Sequence, residues 1–316
     1  MNKVYIFISG LLCGALLVIF LNIKQPSSNI LKKNEFSFQL LQVNRSKWQQ
    51  NKLVVIPAVS NEINWTTPMT WPSWLREGLQ SSSKYQVYLY QRISPNSTSP
   101  YNWPYAPNVH EEAGLYIQFI YDHYHDLPDK MLFLHGDPFG HTPHPIEAAL
   151  CVRDDVHYAN INSLSFKDRA WSVWPRDKTD NIALMYKCAL YVLSLFGFDG
   201  EAQLNPENIT PKDDNVISAK CCGQFFVTKE RIRHYTYEQW SAVYQANLKP
   251  YCASENAVEI TGERDIKWFG GSFEHLWHVI LGLNPTNMHI PLANTHSDEC
   301  HLFRSPCQGS PCANHT

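Results

Sequence analysis

The stretch that most constrains how this chain can fold is Met131 to His144, MLFLHGDPFGHTPH. A short apolar run stops abruptly at His135-Gly136-Asp137 and passes into a turn-rich loop that carries His141 and His144. The turn signal Leu127-Pro128-Asp129 precedes the run, which therefore reads as a strand buried on both faces rather than as a helix. In an open α/β sheet, a polar cluster just beyond the carboxyl end of such a strand sits where ligands bind. Asp137 is accordingly the leading candidate for an active-site residue.

The flanking sequence extends this pattern. Leu53 to Val59 is a second buried-strand run, Tyr85 to Tyr90 alternates like a third, and Trp74 to Ser81 between them is short enough for one or two helical turns. Pro95 to Pro107 is a long loop rich in Pro, Asn, Ser and Tyr, and Glu111 to His125 follows with apolar positions on a helical repeat. Strand, helix, strand, helix, strand implies right-handed crossovers and a mainly parallel, doubly wound sheet, so the expected fold class is α/β. Farther along, 179–196, 237–248 and 272–281 read as helices and 223–227 as an apolar strand. No internal repeat and no second-domain linker interrupts the region 52–290.

With 44% apolar and 17% charged residues, the 316-residue chain has ample material for a buried core. A formal net charge of −3, without an arginine-rich stripe, gives no footprint for nucleic acid. Val4 to Ile23 carries no charge over a length that matches the hydrocarbon core of a bilayer, and it lacks the small-residue cleavage site of a signal peptide. It is read as an uncleaved anchor within 1–24, followed by a polar stem over 25–51. The lysines on its two sides do not fix its orientation by themselves. The sequons beginning at Asn44, Asn64, Asn96, Asn208 and Asn314, together with the eight cysteines beyond the anchor, favour a luminal domain: a single-pass type II protein of the secretory pathway, with the Golgi as the expected compartment. Cys300, Cys307 and Cys312 in the tail 291–316 match no zinc-finger spacing, and disulfide staples are the better account of them.

Several constellations could carry chemistry. His135, Asp137, His141 and His144 offer a hard oxygen and three imidazoles, a set compatible with a divalent metal, although loop residues of this kind also serve to fix turns. Glu274-His275-x2-His278 has the wrong spacing for a zinc-protease helix, so that reading is rejected. Glu274 remains either a general base in a cleft or a solvated helix-face charge. Asp154-Asp155 and Asp213-Asp214 lie in polar segments and read as surface turns. The tryptophans at 65, 71, 74, 103, 171 and 174 could stack on sugar or simply fill the core. No Gly-x-Gly-x-x-Gly, Walker loop or Gly-x-Ser-x-Gly elbow is present, which argues against the common dinucleotide, NTP and serine-hydrolase chemistries.

Three segments together resemble the family known as domain of unknown function 3431. They are Asn108-x3-Glu112-Ala113 running through Tyr116 to Leu127-Pro128-Asp129 and Phe133-Leu134-His135; Cys221-Cys222-Gly223-Gln224-Phe225-Phe226-Val227-x-Lys229-Glu230-Arg231-Ile232; and Glu274-x2-Trp277. The family's usual glycine before the motif's glutamate is replaced here by Glu111. The family's layout in turn resembles that of GT-A glycosyltransferases, in which an acidic motif after a central strand holds a metal against a nucleotide diphosphate. That resemblance implies transfer of a sugar from a nucleotide-sugar donor to a glycan or protein acceptor, with Mn2+ or another divalent ion as cofactor. By this reading Asp137 and His135 contact metal or diphosphate, Glu274 is the acceptor's base, and Gln224, Phe225 and Trp277 shape the acceptor side. His135-Gly136-Asp137 keeps only the second acid of an Asp-x-Asp motif. Two other functions stand beside this one: a metal-dependent hydrolase using Asp137, His141 and His144, and a noncatalytic luminal carbohydrate-binding protein.

Overall fold

The strand run at Leu53–Ala58 (β1) is buried at every residue and forms the middle of a three-stranded parallel unit, with Tyr85–Val87 (β2) on one side and Lys130–His135 (β3) on the other. Apolar side chains throughout are what a parallel strand covered on both faces requires. The computed structural model describes residues 48–65, 67–80, 83–96, 103–162, 181–199, 223–249, 252, 267–282, 302–305 and 307, all within the compact unit Phe38–Thr316. Val4 to Ile23, the sequons at Asn44, Asn208 and Asn314, Cys221-Cys222, Cys300, Cys312, Asp213-Asp214, Trp171 and Trp174 lie outside the described residues. Among the described residues no helix is long and apolar enough to cross a membrane.

The sheet has the order β2-β1-β3-β5-β4, where β4 is Tyr158–Asn160 and β5 is Phe225–Thr228. β5 runs antiparallel both to β3, with Phe133 opposite Phe225, and to β4, with Asn160 opposite Phe225. The expected α/β class therefore holds and the parallel unit is at the centre, but one half of the sheet is mixed. A four-residue apolar run reads the same in either direction, so its sequence carries no sign of this reversal.

Seven α-helices are described: α1 Ser73–Gly78, α2 Glu111–His123, α3 Pro145–Leu150, α4 Asn181–Leu195, α5 Lys229–Ile232, α6 Tyr237–Asn247 and α7 Lys267–Trp277. α7 runs on as a π-helical turn, His278–Gly282. The period-two alternation of the strands sorts their side chains. Val54, Ile56, Met131, Phe133, Phe225 and Val227 enter one principal core with α2, α4, α6 and α7, while Val55, Leu132, Leu134 and Phe226 are buried outside it.

Among the described residues, two disulfides staple the domain. Cys188–Cys252 joins α4 to the chain beyond α6, and Cys151–Cys307 fastens the tail to the end of α3. The second closes a loop across 156 residues of sequence, where the entropy removed from the unfolded chain is greatest. This supports the stapled tail expected from the cysteine spacing.

Candidate functional site

The first crossover carries the chain from β1 to β2, and the next places β3 on the other side of β1. The carboxyl ends of β1 and β3 thus flank the point where the strand order reverses, the place where open α/β sheets form a crevice. Because β5 is antiparallel, its beginning reaches the same edge as the end of β3. Gln224, fully buried, accepts a hydrogen bond from the His135 backbone N–H (3.4 Å) and donates to the Pro138 carbonyl (3.3 Å) and to Asn162 Oδ1 (3.0 Å). One amide side chain at the entry to β5 therefore anchors the end of β3, the loop that follows it and the segment after β4.

The start of α2 supplies the acids. His110 and Glu111 both adopt left-handed backbone, with φ of 53° and 57°. For side chains of this size that conformation is uncommon and unfavourable, and it persists only where the surroundings impose it. A positive φ is the conformation that glycine adopts without steric cost, and Glu111 holds it with a full side chain. Three contacts hold the turn. His110 Nε2 lies 2.9 Å from the Lys249 carbonyl, the His110 ring packs 4.8 Å from Phe269, and the His110 carbonyl sits where a Cβ on Gly270 would come within 2.6 Å of it. Gly114 is fitted as closely: a Cβ there would stand 2.1 Å from the Val109 carbonyl.

Gly270 brings the backbone of α7 against this turn, and Glu274, four residues on, lies on the same helix face. Carboxylate oxygens of Glu111, Glu112 and Glu274 consequently fall within 4.8 Å of one another. The aliphatic stem of Glu112 crosses over Gly223, where a Cβ would be 2.9 Å from Glu112 Cγ and 3.1 Å from the ring of Tyr116. The Cys221-Cys222-Gly223 motif therefore needs its glycine to make room for the motif's glutamate. Beneath the acids runs a series of ring contacts, Phe269 to Phe273 to Trp277 to Phe225 to Phe133 to Tyr116, with centroids 4.7–5.2 Å apart.

Burial and mutual proximity set the charges. Burial raises the Glu112 carboxyl pKa, opposed by its own backbone N–H, by a hydrogen bond with Glu274, and by Arg92 and His141. His135 is pushed down to about 4 by burial, with His141 adding to the effect and Glu62 opposing it, so its imidazole is neutral at physiological pH. Its Nε2 lies 3.7 Å from Glu112 Oε1, which is a contact between a neutral ring and a carboxyl rather than an ion pair. Arg92 donates to Asn108 Oδ1 (2.5 Å) and to the Glu111 carbonyl (3.1 Å), placing one guanidinium beside the acids. Gly136 is pressed against the Glu62 carboxyl, which would lie 2.6 Å from a Cβ.

The residues singled out from sequence divide into two groups. Glu274 and His135 belong to the cluster, and Gln224 is the anchor of its loop. Asp137 is exposed at the start of the short turn Pro138–Gly140 and does not cap it, and His144 is exposed ahead of α3. His141 packs its ring 4.5 Å from that of His135. Asp137, His141 and His144 do not gather their ligand atoms within 4.8 Å of one another; among the described residues, the set that does is Glu111, Glu112 and Glu274. Phe225 and Trp277 are buried in the aromatic series. The sequons Asn64 and Asn96 both present exposed side chains. Glu112, Arg92 and Tyr116 were missed, although Glu112 and Tyr116, four apart on a helix directly after a loop, form a pattern that could have been read.

The fold and site together define a mixed α/β domain with an acidic cluster at the carboxyl edge of its central parallel strands. The family model described as Protein of unknown function (DUF3431) matches residues 55–154 and 196–297, more than half of the chain, and the protein belongs to that family. No curated protein and no solved structure matches the chain.

Proposed function

We propose that this protein is a glycosyltransferase of the secretory pathway, held in the membrane through Val4 to Ile23 as a type II protein with its α/β domain in the Golgi lumen. It takes a nucleotide-sugar donor and passes the sugar to a glycan or protein acceptor. The observation that carries the reading is the position of the acidic cluster. Glu112 and Glu274 meet at the carboxyl edge of β1 and β3, the crevice in which an α/β sheet receives a nucleotide, and Glu274 is the late acid of the GT-A-like layout. Exposed sequons at Asn64 and Asn96 and a disulfide on the tail support a luminal setting. The hydrolase reading loses its support because Asp137, His141 and His144 do not converge.

The test is release of nucleoside diphosphate by the full chain over a panel of nucleotide sugars, each with an acceptor mixture of glycans and glycopeptides. Release confined to one donor and abolished in Glu274→Gln supports the reading. Release from no donor, by protein that is folded and glycosylated, contradicts it.

A further inference from the structure

We propose that Glu111, Glu112 and Glu274 form a binding site for a divalent cation of the Mn2+ or Mg2+ class, flanked by His135. Carboxylate oxygens are the ligands such hard cations select, and an ion bound at about 2.1 Å sets its ligand atoms about 3 to 4.2 Å apart. The three carboxylates already lie within 4.8 Å of one another, so small side-chain rotations close them on an ion. Nε2 of His135, 3.7 Å from Glu112 Oε1 and without a hydrogen-bond partner among the described residues, adds a nitrogen ligand at the rim.

A second, independent observation points to a missing ligand. Tyr116 is wholly buried, and its hydroxyl has no hydrogen-bond partner among the described residues. It stands one helical turn after Glu112, its ring and the stem of Glu112 side by side over Gly223, and Glu112, Glu274 and Arg92 are the charged groups around its hydroxyl. Orphaned buried hydroxyls are rare in folded proteins. A cation bound by the neighbouring carboxylates would bring a coordinated water or substrate oxygen to that hydroxyl. The charges agree: Arg92 is the cation beside three carboxylates, with the Glu62 carboxyl close by against Gly136, and this leaves an excess of negative charge at the crevice.

The site deepens the proposed transfer reaction by replacing the expected ligand set, Asp137 with the loop histidines, and by assigning Glu274 to the ion instead of to the acceptor's proton. Binding itself does not depend on that reaction. The experiment is titration of Mn2+ alone into the full chain, followed by loss of the free-ion electron paramagnetic resonance signal and by calorimetry. One ion per chain is expected, with affinity reduced at least about tenfold in Glu112→Gln and in Glu274→Gln and unchanged in Asp137→Asn. Should either glutamine variant misfold, Glu111→Gln at the exposed helix start gives the same readout. Absence of binding at millimolar Mn2+, or binding that survives the glutamate variants and is lost in Asp137→Asn, overturns the proposal. Mn2+ binding at the glutamates without sugar transfer would keep this site and sink the transferase reading; transfer without Mn2+ binding would do the reverse.

Discussion

Two helices of this domain begin in opposite ways. α6 starts with a capping box: Thr236 Oγ1 accepts from the Gln239 N–H at 3.3 Å, and Gln239 Oε1 accepts from the Thr236 N–H at 2.9 Å. Every part of that start is local, and its backbone is ordinary. α2 has no side-chain cap and begins from two consecutive left-handed residues, held by contacts from Val109, Lys249, Phe269 and Gly270. A helix start that serves only the fold obeys local rules. One that departs from them and is held in place by distant segments is where function should be sought, and α2 delivers Glu111 and Glu112 to the acidic cluster.

The comparison can be broken most severely at the glycines. Gly270→Ala and Gly114→Ala each push a Cβ into a backbone carbonyl of the α2 start, and each should destabilise the fold by about 2–3 kcal/mol, measured by denaturant unfolding. A change below about 0.5 kcal/mol would mean that the turn is not held as described. Acid comes next. Burial depresses the folded-state pKa of His135 to about 4 from the ordinary 6.5, so the folded state binds its proton later than the unfolded chain does. Stability from this group is complete above pH about 6.5 and is lost as pH falls towards 4, by about 3 kcal/mol. His135→Gln should flatten that limb of the stability curve, and an unchanged curve would place His135 in water.

Smaller effects distinguish the two starts directly. Glu111→Gly removes a side chain from left-handed backbone, so it should raise stability by about 1 kcal/mol. Thr236→Ala at the ordinary start should lower it by about 1 kcal/mol. Opposite signs in thermal unfolding are the expected result. A loss in both variants would show that the α2 start is not strained.

What the sequence made legible follows the same division. β1 and β3 were readable because a strand buried on both faces is an unbroken apolar run, and α2, α4 and α6 because their periodicity extends over several turns. α3 and β4 were missed: Pro145–Leu150 and Tyr158–Asn160 are too short to show a period. The antiparallel sense of β5 is fixed by where the chain re-enters the sheet, which no feature of Phe225–Thr228 encodes. At the site, His135 was visible as the polar end of an apolar strand pattern, and Glu274 as an acid within an amphipathic helix pattern. Glu112 has no role legible in its motif, because its importance arises from Gly223 and Gly270, each more than 100 positions away along the chain. Asp137 drew attention through its place directly after β3, yet the backbone there turns its side chain to solvent.

The most direct test of the central claim, that function resides in the cluster built by α2 and α7 and not in the exposed loop after β3, is a paired turnover measurement. Glu112→Gln and Glu274→Gln are compared with Asp137→Asn and His144→Gln for donor-dependent nucleoside diphosphate release, each after circular dichroism confirms the fold. The account predicts a loss of at least about a hundredfold in the first pair and less than about tenfold in the second. Turnover retained in the glutamate variants and abolished in Asp137→Asn would contradict it.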